Sequence, residues 1–150
     1  MRTAKKEQLG DGGYNMKVNF NSAFNNFKNY ISDNVPELGR VITHWEDPFT
    51  VSKNQTVILP HGGGENNGKI NFSIRMFIST VEKNSDSIPQ VQMSIMNNIF
   101  ASVYNSNLPS EFIEVSIGDF EYYDPLPQSP LVGAVDLVIN FVVELIDDCF

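Results

Sequence analysis

The chain has 150 residues, of which 41% are hydrophobic and 19% charged, the balance of one ordinary globular domain with one core. At this length folding removes roughly 68–70% of the surface from water, so neither disulfides nor a structural metal is required. A formal net charge of −8 argues against gripping nucleic acid through its phosphates, which takes clustered Lys and Arg.

The single cysteine, Cys149, has no partner for an internal disulfide, and a reducing cytoplasm is the default compartment. There is no run of about 18 apolar residues and no charged, apolar, small-residue leader, so a soluble protein without a membrane segment is expected. Residues 1–15 are polar and end in the Asp11-Gly12-Gly13 turn cluster. They read as a flexible arm or a cloning remnant, leaving residues 16–150 as a single α+β domain. Without the arm, which holds Arg2, Lys5 and Lys6 against Glu7 and Asp11, the net charge becomes −9.

Phe20, Phe24, Phe27 and Ile31 fall at steps of four, three and four, which predicts a helix capped by Asn19 or Asn21 and ended near Asn34 by Pro36. Arg40 to Trp45 and Thr56 to Leu59 read as two short strands around a turn-rich stretch. Ile70, Phe72, Ile74, Met76 and Ile78 then alternate with mostly polar residues, the period-2 signature of a strand with one buried face. Ile88, Gln92, Ile95, Ile99 and Val103 return to helical spacing, with Ser87 as a cap beside Pro89. Ile113, Val115 and Ile117 alternate, and the long set Val135, Leu137, Ile139, Phe141, Val143 and Leu145 predicts a final strand. Val138 and Val142 interrupt its polar side, so that strand is expected to be covered on both faces. Tyr122 to Leu131 holds three prolines and is expected to project as a loop. The order is α-β-β-β-α-β-β, with a largely antiparallel sheet of about five strands packed with two helices.

Gly63 to Lys69 fills seven positions of the phosphate-binding pattern GxxxxGK[ST], but Ile70 stands where a hydroxyl should ligate magnesium, and a strand follows instead of a helix. His61-Gly62-Gly63-Gly64 matches an oxyanion-hole tetrapeptide without a GxSxG elbow or a βαβ chain around it, so a glycine-rich hairpin or protruding loop is the reading for residues 61–68. His44 and His61 have no cysteine at zinc-ligand spacing, and His44 has no nameable catalytic partner. Asp119, Glu121 and Asp124 match no calcium loop and read as a solvated acidic strand end or an acidic patch facing a partner. No catalytic residue, cofactor or metal is expected. Trp45, Phe49, Phe77, Tyr122 and Tyr123 lie outside the periodic core positions, and aromatics there favour subunit contacts.

With these elements placed, residues 18–146 resemble the tail-terminator and tail-completion proteins of long-tailed phages, the minor tail protein U-like family. The resemblance rests on the order of elements, Ile58-Leu59-Pro60 before a glycine-rich segment, the helix from Pro89 to Tyr104, and the Asp119 to Pro130 segment leading through Gly133 into an apolar last strand. It implies a structural virion protein forming a homo-oligomeric ring, commonly a hexamer, that caps the tail tube at the head-proximal end. Its partners would be itself, the tail tube protein and the head-side connector, with DNA passing through the lumen unbound, after assembly in the host cytoplasm. Interface residues expected on this reading are His61, Gly63 and Glu65 in the first loop, Phe77 on its strand, and Tyr122, Tyr123, Asp124, Leu126 and Leu131 in the second loop. The alternatives are a head-to-tail connector or stopper, a nucleotide-binding protein using the 63–69 glycine loop and Lys69, and a ligand-binding domain marked by a deep apolar pocket.

Overall fold

A computed structural model describes residues 16–17, 19–104, 108–144 and 146–147, so the expected arm at 1–15, Leu145 and Cys149 lie outside the described residues. The chain runs β1 (Met16–Lys17), α1 (Phe20–Asn34), β2 (Arg40–Ile42), β3 (Gln55–Asn66), β4 (Lys69–Val81), α2 (Ile88–Val103), β5 (Phe112–Tyr123), β6 (Val132–Glu144) and β7 (Ile146–Asp147). This is the expected α+β order, with a two-stranded β1–β7 ribbon added at its ends. The main sheet has the order β2-β3-β4-β6-β5, antiparallel throughout except for the short parallel pair β2–β3.

The side chain of Asn19 caps α1 by accepting the Ser22 N–H at 2.9 Å, satisfying one of the donors a helix start leaves free. Ser87 takes the N-cap position of α2 as expected, but its side chain caps no helix N–H, and a 3-10 turn at Ser85–Ser87 capped by Asn84 precedes the helix. Asn84 accepts the Asp86 N–H at 2.9 Å, while the Ser87 hydroxyl donates to the Asn84 carbonyl at 2.7 Å. Pro89 then occupies the first turn of α2, where a missing N–H costs nothing.

Both helices cover one face of the sheet. Ala23, Phe27 and Ile31 of α1 and Ile95, Met96, Ile99 and Val103 of α2 share a core with Ile58, Ile74, Met76, Ile78, Leu137, Ile139 and Phe141. Phe27, Phe112 and Phe72 surround Phe141 at centroid distances of 4.6, 4.9 and 5.2 Å. The α2 face also holds buried Gln92, whose amide donates to the Ala134 carbonyl at 3.1 Å and reaches the Tyr123 carbonyl at 3.4 Å. A buried amide without such partners would be costly, and here it ties the helix to the paired ends of β5 and β6. Gly133 lies beneath the same turn, where a Cβ would come within 2.4 Å of Ile88 Cγ2.

Two boundaries differ from the sequence reading. Residues 61–66 are not loop: β3 continues to Asn66 and pairs with β4 down to Asn66–Lys69, leaving only Asn67 and Gly68 as the turn. Their φ values of 54° and 81° are those of a type I′ hairpin, for which Asn-Gly is the preferred pair. Likewise Tyr122 and Tyr123 end β5, paired with Val135 and Ala134, and the loop is confined to residues 124–131. That loop closes on itself, with Ser129 N–H donating to the Leu126 carbonyl at 2.9 Å and Val132 N–H to the Ser129 carbonyl at 3.2 Å.

Candidate interaction surfaces

Three surfaces remain once the core is closed. The first is the outer face of the sheet, opposite the helices. The β3–β4 and β4–β6 registers align Val57, Phe77 and Asp136 in one row and Leu59, Arg75 and Val138 in the next. Ile42, Val57 and Phe77 form a small second cluster there, with Leu59 packed against it. Over Phe77 stands Trp45, edge-on at 4.9 Å and 54% exposed. The Arg75 guanidinium sits 4.3 Å from the Phe77 centroid and binds Asp136 through two hydrogen bonds of 2.7 and 3.1 Å. Hydrogen bonding to Asp136 pushes the arginine pKa above its ordinary value.

The segment after β2 folds back over one end of this face. Ser79 Oγ donates to the Pro48 carbonyl at 2.6 Å, and Phe49 meets Tyr123 at 6.5 Å. Its bend carries His44 and Trp45 off the strand expected there, and His44 Nε2 lies 3.0 Å from Glu46 Oε2 in an exposed pair. Val138 and Val142 remain half-buried, so the last strand is fully covered on the helix side alone.

The second surface is the margin where β5 meets α2. A bulge between Ile117 and Phe120 resets the alternation of β5, so that Phe120 and Tyr122 lie opposite Leu137 and Val135 and point to the helix side. Phe100 of α2 and Tyr104, which caps the end of that helix, meet them there. The rings form a ladder, Tyr104–Phe100–Phe120–Tyr122, with steps of 5.9, 6.0 and 5.9 Å. The Tyr104 hydroxyl accepts the Ile117 N–H at 3.0 Å.

The third is an open cleft of about 720 Å³ between the start of α1 and the hairpin, lined by Phe20, Phe24, Pro60, Gly63, Ile70 and Phe72 among others. Phe20 stands edge-on to Phe72 at 5.7 Å and is half-exposed.

The expected interface residues are therefore dispersed. His61 shares a shallow hollow with Arg75, Asp136, Phe120 and Glu121, whereas Gly63 and Glu65 line the cleft on the other side. Glu65 also accepts the Gly68 N–H at 2.9 Å, which fixes the turn. Phe77 lies on the outer face as expected but is buried under Trp45, which is the residue free to make contact. Tyr122 belongs to the ladder, while Tyr123 faces outward with its hydroxyl 3.2 Å from Glu121. Desolvation, then that hydrogen bond, raises the Tyr123 pKa. Asp124, Leu126 and Leu131 lie in the 124–131 loop and join none of the three surfaces; Leu126 is half-buried within its own turn.

Lys69 opens β4, and Gly63 to Asn66 are extended ladder residues, so no helix N-terminus meets the lysine as a phosphate cradle requires. Among the described residues no group of three or more His, Cys, Asp and Glu is arranged to hold a metal, and no helix is long and apolar enough to cross a membrane. No protein-family model matches the chain, and no curated protein matches it.

Phe100, Tyr104 and Phe120 were not among the expected contacts. The signal for the first two was present: they are four residues apart at the end of α2 and off the stripe of Ile95, Ile99 and Val103, so they share a second face.

Proposed function

We propose that the chain is the repeating subunit of a structural ring that caps the head-proximal end of a phage tail tube, as the resemblance to tail terminators implies. The observation that carries an assembly role is the outer sheet face, where a small apolar cluster is topped by a tryptophan left half in water. Exposed aromatics over a flat, partly apolar sheet are the usual material of interface centres. Light scattering and negative-stain microscopy of the concentrated protein test the reading. Rings of one size that bind the ends of purified tail tubes are expected, and a protein that stays monomeric and leaves the tubes uncapped defeats it. Co-purification with portal or adaptor rings instead of tube protein would assign the chain to a connector or stopper.

The cleft beside α1 favours a second reading, a small apolar ligand held by the monomer. Saturable binding of an apolar fluorescent probe, lost in Phe24→Asp, is its test. The cleft is open along β3, which is less suited to enclosing a small molecule than a sealed cavity.

A further inference from the structure

The β5–α2 margin differs from the rest of the surface in composition and in charge. Phe100, Tyr104, Phe120 and Tyr122 are 36%, 58%, 43% and 42% exposed, although each touches the next ring. Residues 84–150, which supply α2, β5 and β6, hold ten Asp and Glu and no Lys, Arg or His. Their net charge is −10, against +2 for residues 1–83, where ten Lys and Arg face eight Asp and Glu. Five of the carboxylates, Glu111, Glu114, Asp119, Glu121 and Asp124, lie on or beside β5. The strand is also the end of the sheet: among the described residues no strand pairs with its outer edge, where the Tyr104 hydroxyl takes one backbone N–H, that of Ile117.

We infer that this margin binds a basic, extended segment of another protein, laid along β5 as an added strand. An added strand would satisfy the open edge with main-chain hydrogen bonds. The β5 register puts Phe120 and Tyr122 on the helix side and Glu114 and Glu121 on the outer side. Successive Lys or Arg side chains of the guest point to opposite faces, so a pair of adjacent cations would meet an aromatic ring on one side and a carboxylate on the other. Charge selects among the possible guests. Nucleic acid is disfavoured, because residues 84–150 supply carboxylates and no cation, and the neighbouring Arg75 is already held by Asp136. A second copy pairing through its own β5 would set carboxylate rows against each other, which opposes strand pairing. The inference stands on this margin alone and does not need the ring.

The test is fluorescence anisotropy with the full chain and a labelled ten-residue peptide of alternating Arg-Arg and Thr-Thr pairs, which sets arginines on both faces of the added strand. Three comparison probes are a peptide of equal charge with Pro replacing alternate Thr, a Glu-Thr peptide, and a DNA duplex of similar length. Saturable binding is expected, at least tenfold weaker for the proline peptide, which cannot donate a strand's hydrogen bonds. The combined E114Q/D119N/E121Q variant, with far-ultraviolet dichroism checking its fold, should lose tenfold, and Phe120→Leu several-fold. Equal affinity for the two arginine peptides, or no loss in Phe120→Leu, would reduce the effect to bulk charge attraction and overturn the inference. So would binding of the Glu-Thr peptide or the duplex at comparable affinity.

Discussion

The two faces of the sheet are finished to different degrees. On the helix side Phe27, Ile31, Ile99 and Phe141 are at most 1% exposed, and rings from three other elements close around Phe141. On the outer side three buried residues lie beneath a tryptophan that is mostly in water. Both sides follow from the same alternation in β4 and β6; what differs is the covering layer, two helices against one folded-back segment. The closed face holds the fold, and the proposed contacts fall on the open face and the β5 edge.

The widest gap between the faces should appear on removing a phenylalanine from each. Phe141→Ala leaves a cavity ringed by rigid aromatics and is expected to cost about 3–5 kcal/mol in urea-unfolding free energy. Phe77→Ala should cost about 1–2 kcal/mol, because Trp45 can settle into the space. Equal losses would mean that the outer cluster is as much a core as the inner one. Gly133→Ala tests how tightly the closed face is packed at its margin. Its Cβ would meet Ile88 and the Gln92 amide, at 2.4 and 2.9 Å, so a loss of about 1–3 kcal/mol is expected in the same titration.

The closed face is also the part most legible in the sequence. Ile88, Gln92, Ile95, Ile99 and Val103 fall in phase and all are buried, the glutamine included, because its amide finds carbonyls at the end of the sheet. Periodicity fails where a residue lacks the side chain that reports it or where the ladder slips. Gly62, Gly63 and Gly64 cannot alternate, so β3 looked shorter than its backbone pairing makes it, although Asn67-Gly68 marked the turn. In β5, bulges after Phe112 and Ile117 change the phase, so Phe112 takes the buried place that the spacing gave to Ile113, and the strand continues to Tyr123. The β5–α2 margin was hidden because its rings come from two elements, and neither contributes more than a pair. The charge imbalance beside it is written plainly in the sequence, from residue 84 onward.

Trp45→Ala sharpens the contrast from the outer side. The residue is exposed and replaceable in the monomer, so folding stability should change by no more than about 0.5 kcal/mol. If the outer face is a ring contact, subunit association should weaken by about 2 kcal/mol, the scale of an interface hot spot, read as a shift in the concentration at which rings dissociate. A variant that folds less well but assembles normally would place Trp45 in the core and move the contact elsewhere.

The smallest effect belongs to Glu46, at the edge of the outer face. The hydrogen bond from Gln55, then that from His44, holds its pKa below the ordinary carboxylate value. A carboxylate depressed in the folded state adds stability that is present above its unfolded pKa and disappears as pH falls through the folded one. The group is exposed, so solvent screens most of the gain. The urea midpoint of Glu46→Gln should therefore lie slightly below that of the parent at pH 7 and converge with it in the acid range below the usual carboxylate pKa. A difference that persists unchanged into that range would trace the effect to the shape of the side chain and not to its charge.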